Sequence, residues 1–552
     1  MKELTLEPEP IHGHGHAHAH AHAHAHAHAQ AIAPSEIGKG NSTTRPDLHN
    51  RAVKILRARE AYNGGYNDEV GEKPSRFEVF GWYLYEFCFY FVQTVLVPIV
   101  FPLIISQLQK QPTVSLQEWN KIHPGTHCSQ KEFHLYSKLT GHTISSKFSP
   151  LEWTSIAWAI GLAIAAPILG FLSFHLDGNF PKLITVAATG VGVFFCLPAG
   201  FFKVTAIFIP YIAGIIAAST VANAAHTQHF GLMIRAFTGT SLKRTQFFLR
   251  QGVSTRLSLH ATSAGCFGGA LIAAFTYHMI HELNDNERDV MSLWVVSIFS
   301  GLIWLVGILH LATATSRTTD SISFSSRLHP FSIFKYPHAI GGLASVFLAS
   351  FTTMTIFTGG VIFIVGQLCI RPLHLLLFWL TYFLFPLVSL SLLQPLLHLI
   401  KTSSVKMQIV GFFFSLLSSG FGFYYGHSHW KWGHLVLFGA IQSTATGILH
   451  AFGRVLVLDC APSGKEGAFS IWYAWMRAAG LCVGFTVGSV GPGRIRTSFG
   501  VAFCTAIAGI VVLLFGNISD AGGAVAAGNV SDDNERSSVV VSGLDSKEAA
   551  RV

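Results

Sequence analysis

TSIAWAIGLAIAAPILGFLSFHLDGNFPKLITVAATGVGVFFCLPAGFFKVTAIFIPYIAGIIAASTVANAA, residues 154–225, decides the fold. Only Asp177, Lys182 and Lys203 carry charge here, and they fall between apolar runs long enough to cross a bilayer. A helix needs about 20 apolar residues for that crossing, and lipid offers the backbone no partners, so each run must close its own hydrogen-bond ladder. Working outward, the same pattern predicts spans at 79–107, 154–175, 183–202, 204–225, 258–280, 290–313, 339–366, 373–400, 405–425, 433–458, 466–491 and 497–516. The count is twelve, or eleven if one of the pairs broken only by Lys203 or by Arg371 and Pro372 is continuous. Half of the 552 residues are apolar and 12% are charged, against about a quarter in soluble domains.

The formal charge of +9 therefore describes loops. Basic residues gather at Arg51, Lys54, Arg57 and Arg59, at Arg235, Lys243, Arg244, Arg250 and Arg256, and at Arg317, Arg327 and Lys335. An even count puts all of these on one side, opposite the acidic turn Glu282, Asp285, Glu287 and Asp289. The positive-inside rule then places both termini in the cytosol, with Arg371, Lys431, Arg494 and Arg496 against the trend. Anionic lipid headgroups, and not nucleic acid, are the partners expected for these patches. Residues 1–76 form a cytosolic, largely disordered region. They contain a His/Ala/Gly run at 12–28, which reads either as a zinc- or copper-holding tract or as low complexity without fixed function, and a basic amphipathic segment at 47–60. The loop 109–153 is long enough for a small cap. The chain from 517 to 552 reads as a disordered cytosolic tail. The sequons at Asn41, Asn517 and Asn529 fall on the cytosolic side and are expected to stay unmodified. No disulfide framework, Walker or dinucleotide motif, paired catalytic carboxylates or metal motif is present, so neither an enzyme nor a cofactor is expected.

A central basic loop, 314–337, divides the spans into 77–313 and 338–516, six and six. Two six-helix halves around a midplane cavity is the layout of a major facilitator transporter. Local sequence narrows this. Gly81-Trp82-Tyr83-Leu84-Tyr85-Glu86-Phe87 resembles the opening of the autophagy-related vacuolar amino-acid effluxers, and Pro462-Ser463-Gly464-Lys465-Glu466-Gly467-Ala468-Phe469, with Tyr473 and Arg477, is similar to their tenth-to-eleventh junction. Pro167 to Gly170 with Asp177-Gly178 is similar to their second-to-third turn, and Gly265 with Gly268-Gly269 to their fifth span. Glu86 stands where the family has Asp, and Asp177 is displaced. The resemblance implies an all-α protein of about twelve spans and proton-linked or facilitative movement of a small polar solute, most simply amino acids, from vacuole or lysosome to cytosol. Plasma membrane is the other location, and a transporter-like receptor or scaffold without flux is the alternative function.

An ionisable group inside a span costs about 3 kcal/mol by insertion scales, so Glu86 is expected to face protein or water. Desolvation would let it change protonation during a transport cycle, or it pairs structurally with a base. With Gln93 on its own face, and Asn223, Thr353 and Gln442 on the fourth, seventh and tenth spans, Glu86 makes the expected substrate and proton site. Arg477 reads as a carboxylate clamp or as a gate pairing with Asp459, Glu466 or Glu86. Asp177 with Lys182, and Asp459 with Glu466, form the expected gating network. His278 and His281, i and i+3 on the fifth span, stand close enough to share a metal, but interfacial histidine is ordinary at such a place.

Overall fold

The structure is a computed structural model. It describes residues 73–108, 136–141 and 148–531, except 179, 203, 240–241, 283–292, 316–329, 367, 369, 371, 401, 427–429 and 490–494. All of these fall in one unit, Val53–Val552. The His/Ala run, the segment 47–60, most of the loop 109–153, the acidic turn after Glu282 and the tail from 532 lie outside the described residues.

Twelve long helices follow in order among the described residues: α1 Arg76–Leu108, α2 Pro150–Leu176, α3 Pro181–Gly200, α4 Thr205–Thr238, α5 Phe247–Glu282, α6 Leu293–Thr313, α7 Pro337–Gly366, α8 Pro372–Ile400, α9 Ser404–Tyr424, α10 Trp432–Asp459, α11 Glu466–Ser489 and α12 Ile495–Phe515. Eleven are long and apolar enough to cross a membrane; α11, which carries Glu466 and Arg477, is the exception. That settles the split of the two uncertain pairs in favour of separate helices. Helix starts follow their caps. Ser75 accepts from the Glu78 N–H, and Ser149 and Glu152 form a reciprocal capping box, so α2 begins at Pro150, four residues before the predicted span.

The halves meet along α2 with α11 and α5 with α8, and α4 and α10 also reach across, to α11 and α5. Close approach is bought by glycine. A Cβ at Gly484 would stand 2.5 Å from the Phe351 carbonyl oxygen of α7, and Gly480 and Gly488 continue the same contact a turn either side. Within α1, Pro98 has no N–H to donate, and the ladder widens to a π-helix over Val92–Val100, beginning beside Gln93.

The expectation of a disordered tail from Asn517 is corrected as far as Ser531. A short helix α13, Asp520–Ala526, is capped by Ser519, and Val530 pairs in parallel with Leu242 in a two-residue ladder. Asn529, part of a sequon, is fully buried. Polar bonds hold it as well as the packing of Ala524 and Val530 on Phe247: Asp520 accepts from the Gln251 side chain at 2.7 Å and from the Ser404 N–H at 2.8 Å, and Asn529 donates to the carbonyls of Asp459 and Ala461. Composition rich in Gly and Ala hid this anchoring.

Candidate functional site

Glu86 lies on α1 and is 3% exposed. Its Oε2 sits 2.7 Å from His226 Nε2 of α4 and accepts from Arg454 Nη1 of α10 at 3.2 Å, while Oε1 is 3.2 Å from His450 Nε2, also on α10. The carboxyl is therefore not an isolated desolvated acid. It has a guanidinium counter-ion from the opposite half, and two imidazoles complete its shell. Arg454 is itself held in place: Nε and Nη2 donate to Ser258 Oγ of α5 at 3.2 and 3.1 Å, and the guanidinium lies over the Trp82 and Phe230 rings at 5.0 and 5.1 Å. Stacking and a saturated donor fork are what keep a buried ion pair from being a net cost.

A second cationic centre lies nearby. Arg477 of α11 donates to Gln93 Oε1 at 3.2 Å, Gln93 donates on to Ser219 Oγ at 3.0 Å, and the guanidinium lies 5.9 Å from the Tyr90 ring. Between the halves is a cavity of about 50 Å³ whose wall includes Tyr90, Thr94, Thr353, Tyr382, His450 and Arg477. That is room for a few waters, since one occupies roughly 10–15 Å³ by the same measure. Glu86 reaches this cavity through His450.

Of the expected site residues, Thr353 lines the cavity, with its hydroxyl donating to the Ala349 carbonyl at 2.9 Å. Gln93 supports Arg477. Asn223 and Gln442 are buried but neither bonds Glu86 nor lines the cavity; Gln442 reaches Thr446 at 3.5 Å, and Thr446 is the residue at the wall. The expected partners of Arg477 are corrected as well. Asp459 and Glu466 are taken by closer bases, because α4 and α5 run past the predicted span ends and carry Arg235 and Arg250 into the bundle.

These bases close the end of the bundle at which α1 begins and α12 ends. Arg235 of α4 pairs with Glu466 of α11, and Arg250 Nε of α5 lies 3.5 Å from Asp459 of α10. Arg235 also donates to the Ala461 carbonyl at 3.0 Å and to Asn529 Oδ1 at 3.4 Å. Asp177, at the end of α2, accepts from the Gly467 and Ala468 N–H groups at 2.6 and 3.3 Å, so a residue of one half caps a helix of the other. Burial pushes the Asp177 carboxyl up to about 7; Glu466 adds to this, and the two N–H donors and Arg235 oppose it. Lys182 does not join Asp177: it donates to the Ala314 carbonyl at 2.6 Å and closes the end of α6.

The sequence singles out neither His226, His450 nor Arg454, and it reads Arg235 and Arg250 only as loop charge. His450 and Arg454 sit at i and i+4 inside a predicted span, and the cost rule that singled out Glu86 and Arg477 applies to Arg454 equally. His226 lies one residue beyond the predicted end of its span. Among the described residues, no group of three or more His, Cys, Asp or Glu is arranged to hold a metal ion.

No protein-family model and no curated protein matches the sequence. Among solved structures the fold is similar to the proton:xylose symporter XylE, a major facilitator superfamily protein bound to 6-bromo-6-deoxy-D-glucose, with TM-score 0.51 and 12% identity over 79% of this chain and 94% of that one. The human organic anion transporter MFSD10 covers 80% of this chain and 100% of its own at 13% identity, with TM-score 0.48. The narrower likeness to autophagy-related effluxers draws no support from these comparisons. The chain is thus an integral membrane protein of two six-helix halves with the major facilitator fold.

Proposed function

We propose that the protein is a secondary transporter that moves a small zwitterionic solute, of which amino acids are the simplest class, by alternating access between its halves. One observation carries the reading: an acidic group with its counter-ion from the other half, Glu86 with Arg454, connects through His450 to a cavity between the halves whose wall includes a second guanidinium, Arg477. An α-amino acid offers a carboxylate, which Arg477 suits as a two-toothed donor, and an ammonium, which suits the Glu86 and His450 side. The cavity is too small for such a ligand as it stands, so binding requires the halves to part.

Protonation of Glu86 would release Arg454 from its buried pair, which gives proton coupling a physical handle. Arg235 with Glu466, Arg250 with Asp459, and Asp177 on the α11 N-terminus then act as the gate at one end. With both termini cytosolic, that end faces the cytosol, and vacuolar or lysosomal efflux is the direction the resemblance favours.

Scintillation-proximity binding of tritiated leucine, lysine and glutamate to purified protein tests the site. Saturable binding lost in both Arg477→Ala and Glu86→Gln is expected. Binding indifferent to both variants would place the solute elsewhere, and no binding by any of the three would move the reading to another solute or to a receptor without flux.

A further inference from the structure

On the His226 side of Glu86 lies a second polar cavity, about 90 Å³, walled by the first half and the start of the central loop. His226, His229, His310 and Lys182 are in its wall, with Gln228, Thr185 and Thr315. The histidines step outward in burial. His226 touches Glu86 at 2.7 Å and its side chain is fully buried; the ring of His310, on α6, lies 6.1 Å from that of His226 and 5.1 Å from that of His229; His229, 16% exposed, lies 3.2 Å from Glu78 Oε1. The Nδ1 atoms of His226 and His310 are buried and have no protein partner. A buried imidazole nitrogen is normally satisfied, and a cavity of this size holds enough water to satisfy both.

We propose that His226, His310 and His229, with water in this cavity, form a proton path between Glu86 and the Glu78 end of the bundle, separate from the route taken by the solute. The inference rests on Glu86 being a titrating site. A proton leaving Glu86 Oε2 bonds to His226 Nε2; a different proton leaves His226 Nδ1 to water, and passes through His310 and His229 to Glu78. Each imidazole gains one proton and loses one, so no ring keeps a charge; Glu86 is left as the carboxylate facing Arg454, and Glu78 takes up the proton. The charged and titratable groups facing this path are Glu86, Arg454 and Tyr85 at His226, Lys182 and Tyr85 at His310, and Glu78 at His229, with Thr315 donating to Glu78 at 3.0 Å. Trp82, stacked on His226 at 4.8 Å, fixes its ring.

The test is a pH jump on the full-length protein in liposomes, followed by infrared spectroscopy of the Glu86 carboxyl band, identified by its loss in Glu86→Gln. His310→Phe keeps a ring against Tyr85, and His229→Gln alters a partly exposed site that tolerates change. The same band amplitude, with relaxation slowed at least about tenfold in both variants, is expected. Wild-type relaxation rates in a variant of normal amplitude overturn the path and leave Glu86 titration standing. No titrating Glu86 band in the wild type between about pH 4 and 8 overturns both.

Discussion

Replacing Arg454 by Met removes the counter-ion of Glu86 while keeping most of the packing volume over Trp82. The lost interactions are the 3.2 Å contact to Glu86 and the 3.1 and 3.2 Å contacts to Ser258, all at a residue 1% exposed. Breaking one side of a buried pair costs about 3–5 kcal/mol, because the remaining charge stays desolvated and unpaired. Adding Glu86→Gln to Arg454→Met removes that stranded charge, so the double variant should be more stable than Arg454→Met alone, with a coupling of about 2–3 kcal/mol. Unfolding free energies of the four proteins in mixed micelles give the cycle. Effects that add within about 0.5 kcal/mol would refute the claim that Glu86 and Arg454 act as a pair.

Arg477→Lys retains charge but not the planar fork, and should raise the apparent solute Kd by about tenfold or more, read by equilibrium binding. Asp177, raised to about 7, binds more protons folded than unfolded between about pH 4 and 7, so its contribution makes stability fall as pH rises through that window; Asp177→Asn should abolish that slope in melting curves recorded against pH. Ending the chain after Gly516 removes the packing of Gly523 against the buried Cys460 and the Asn529 bonds to Asp459 and Ala461, so maleimide labelling of Cys460 should accelerate, and unchanged labelling would deny the segment a role in closing that end. Gly484→Leu forces a side chain onto the Phe351 carbonyl at 2.5 Å and should destabilise by about 1–3 kcal/mol or more, measured by thermal melting.

The bundle was legible because lipid leaves the backbone one solution, and apolar length reports it directly. Span ends were not, because α4 and α5 extend beyond the bilayer-length run: Arg235 and Arg250 read as loop charge, yet both are buried against acidic partners at the junction of the halves. Glu86 was legible as a buried ionisable group because a single carboxylate in an apolar run is conspicuous. Its shell was not, since His226, His450 and Arg454 come from two other helices and only tertiary packing sets which imidazole meets which acid. Asn223 and Gln442 fitted the expected cavity-lining helices, but helix membership does not fix rotation about the helix axis, and the structure turns both away from the cavity. Asp177 was chosen as a charge partner and acts instead as a helix cap, a role that depends on a neighbour 290 positions along the chain.

Transport itself is the most direct measurement: uptake of radiolabelled amino acids by liposomes carrying the purified protein, with and without an imposed pH gradient, wild type beside Glu86→Gln. Saturable flux that depends on Glu86 and responds to the gradient is the predicted result. Absence of flux for every amino acid, from protein shown to be folded by its melting curve, would contradict it.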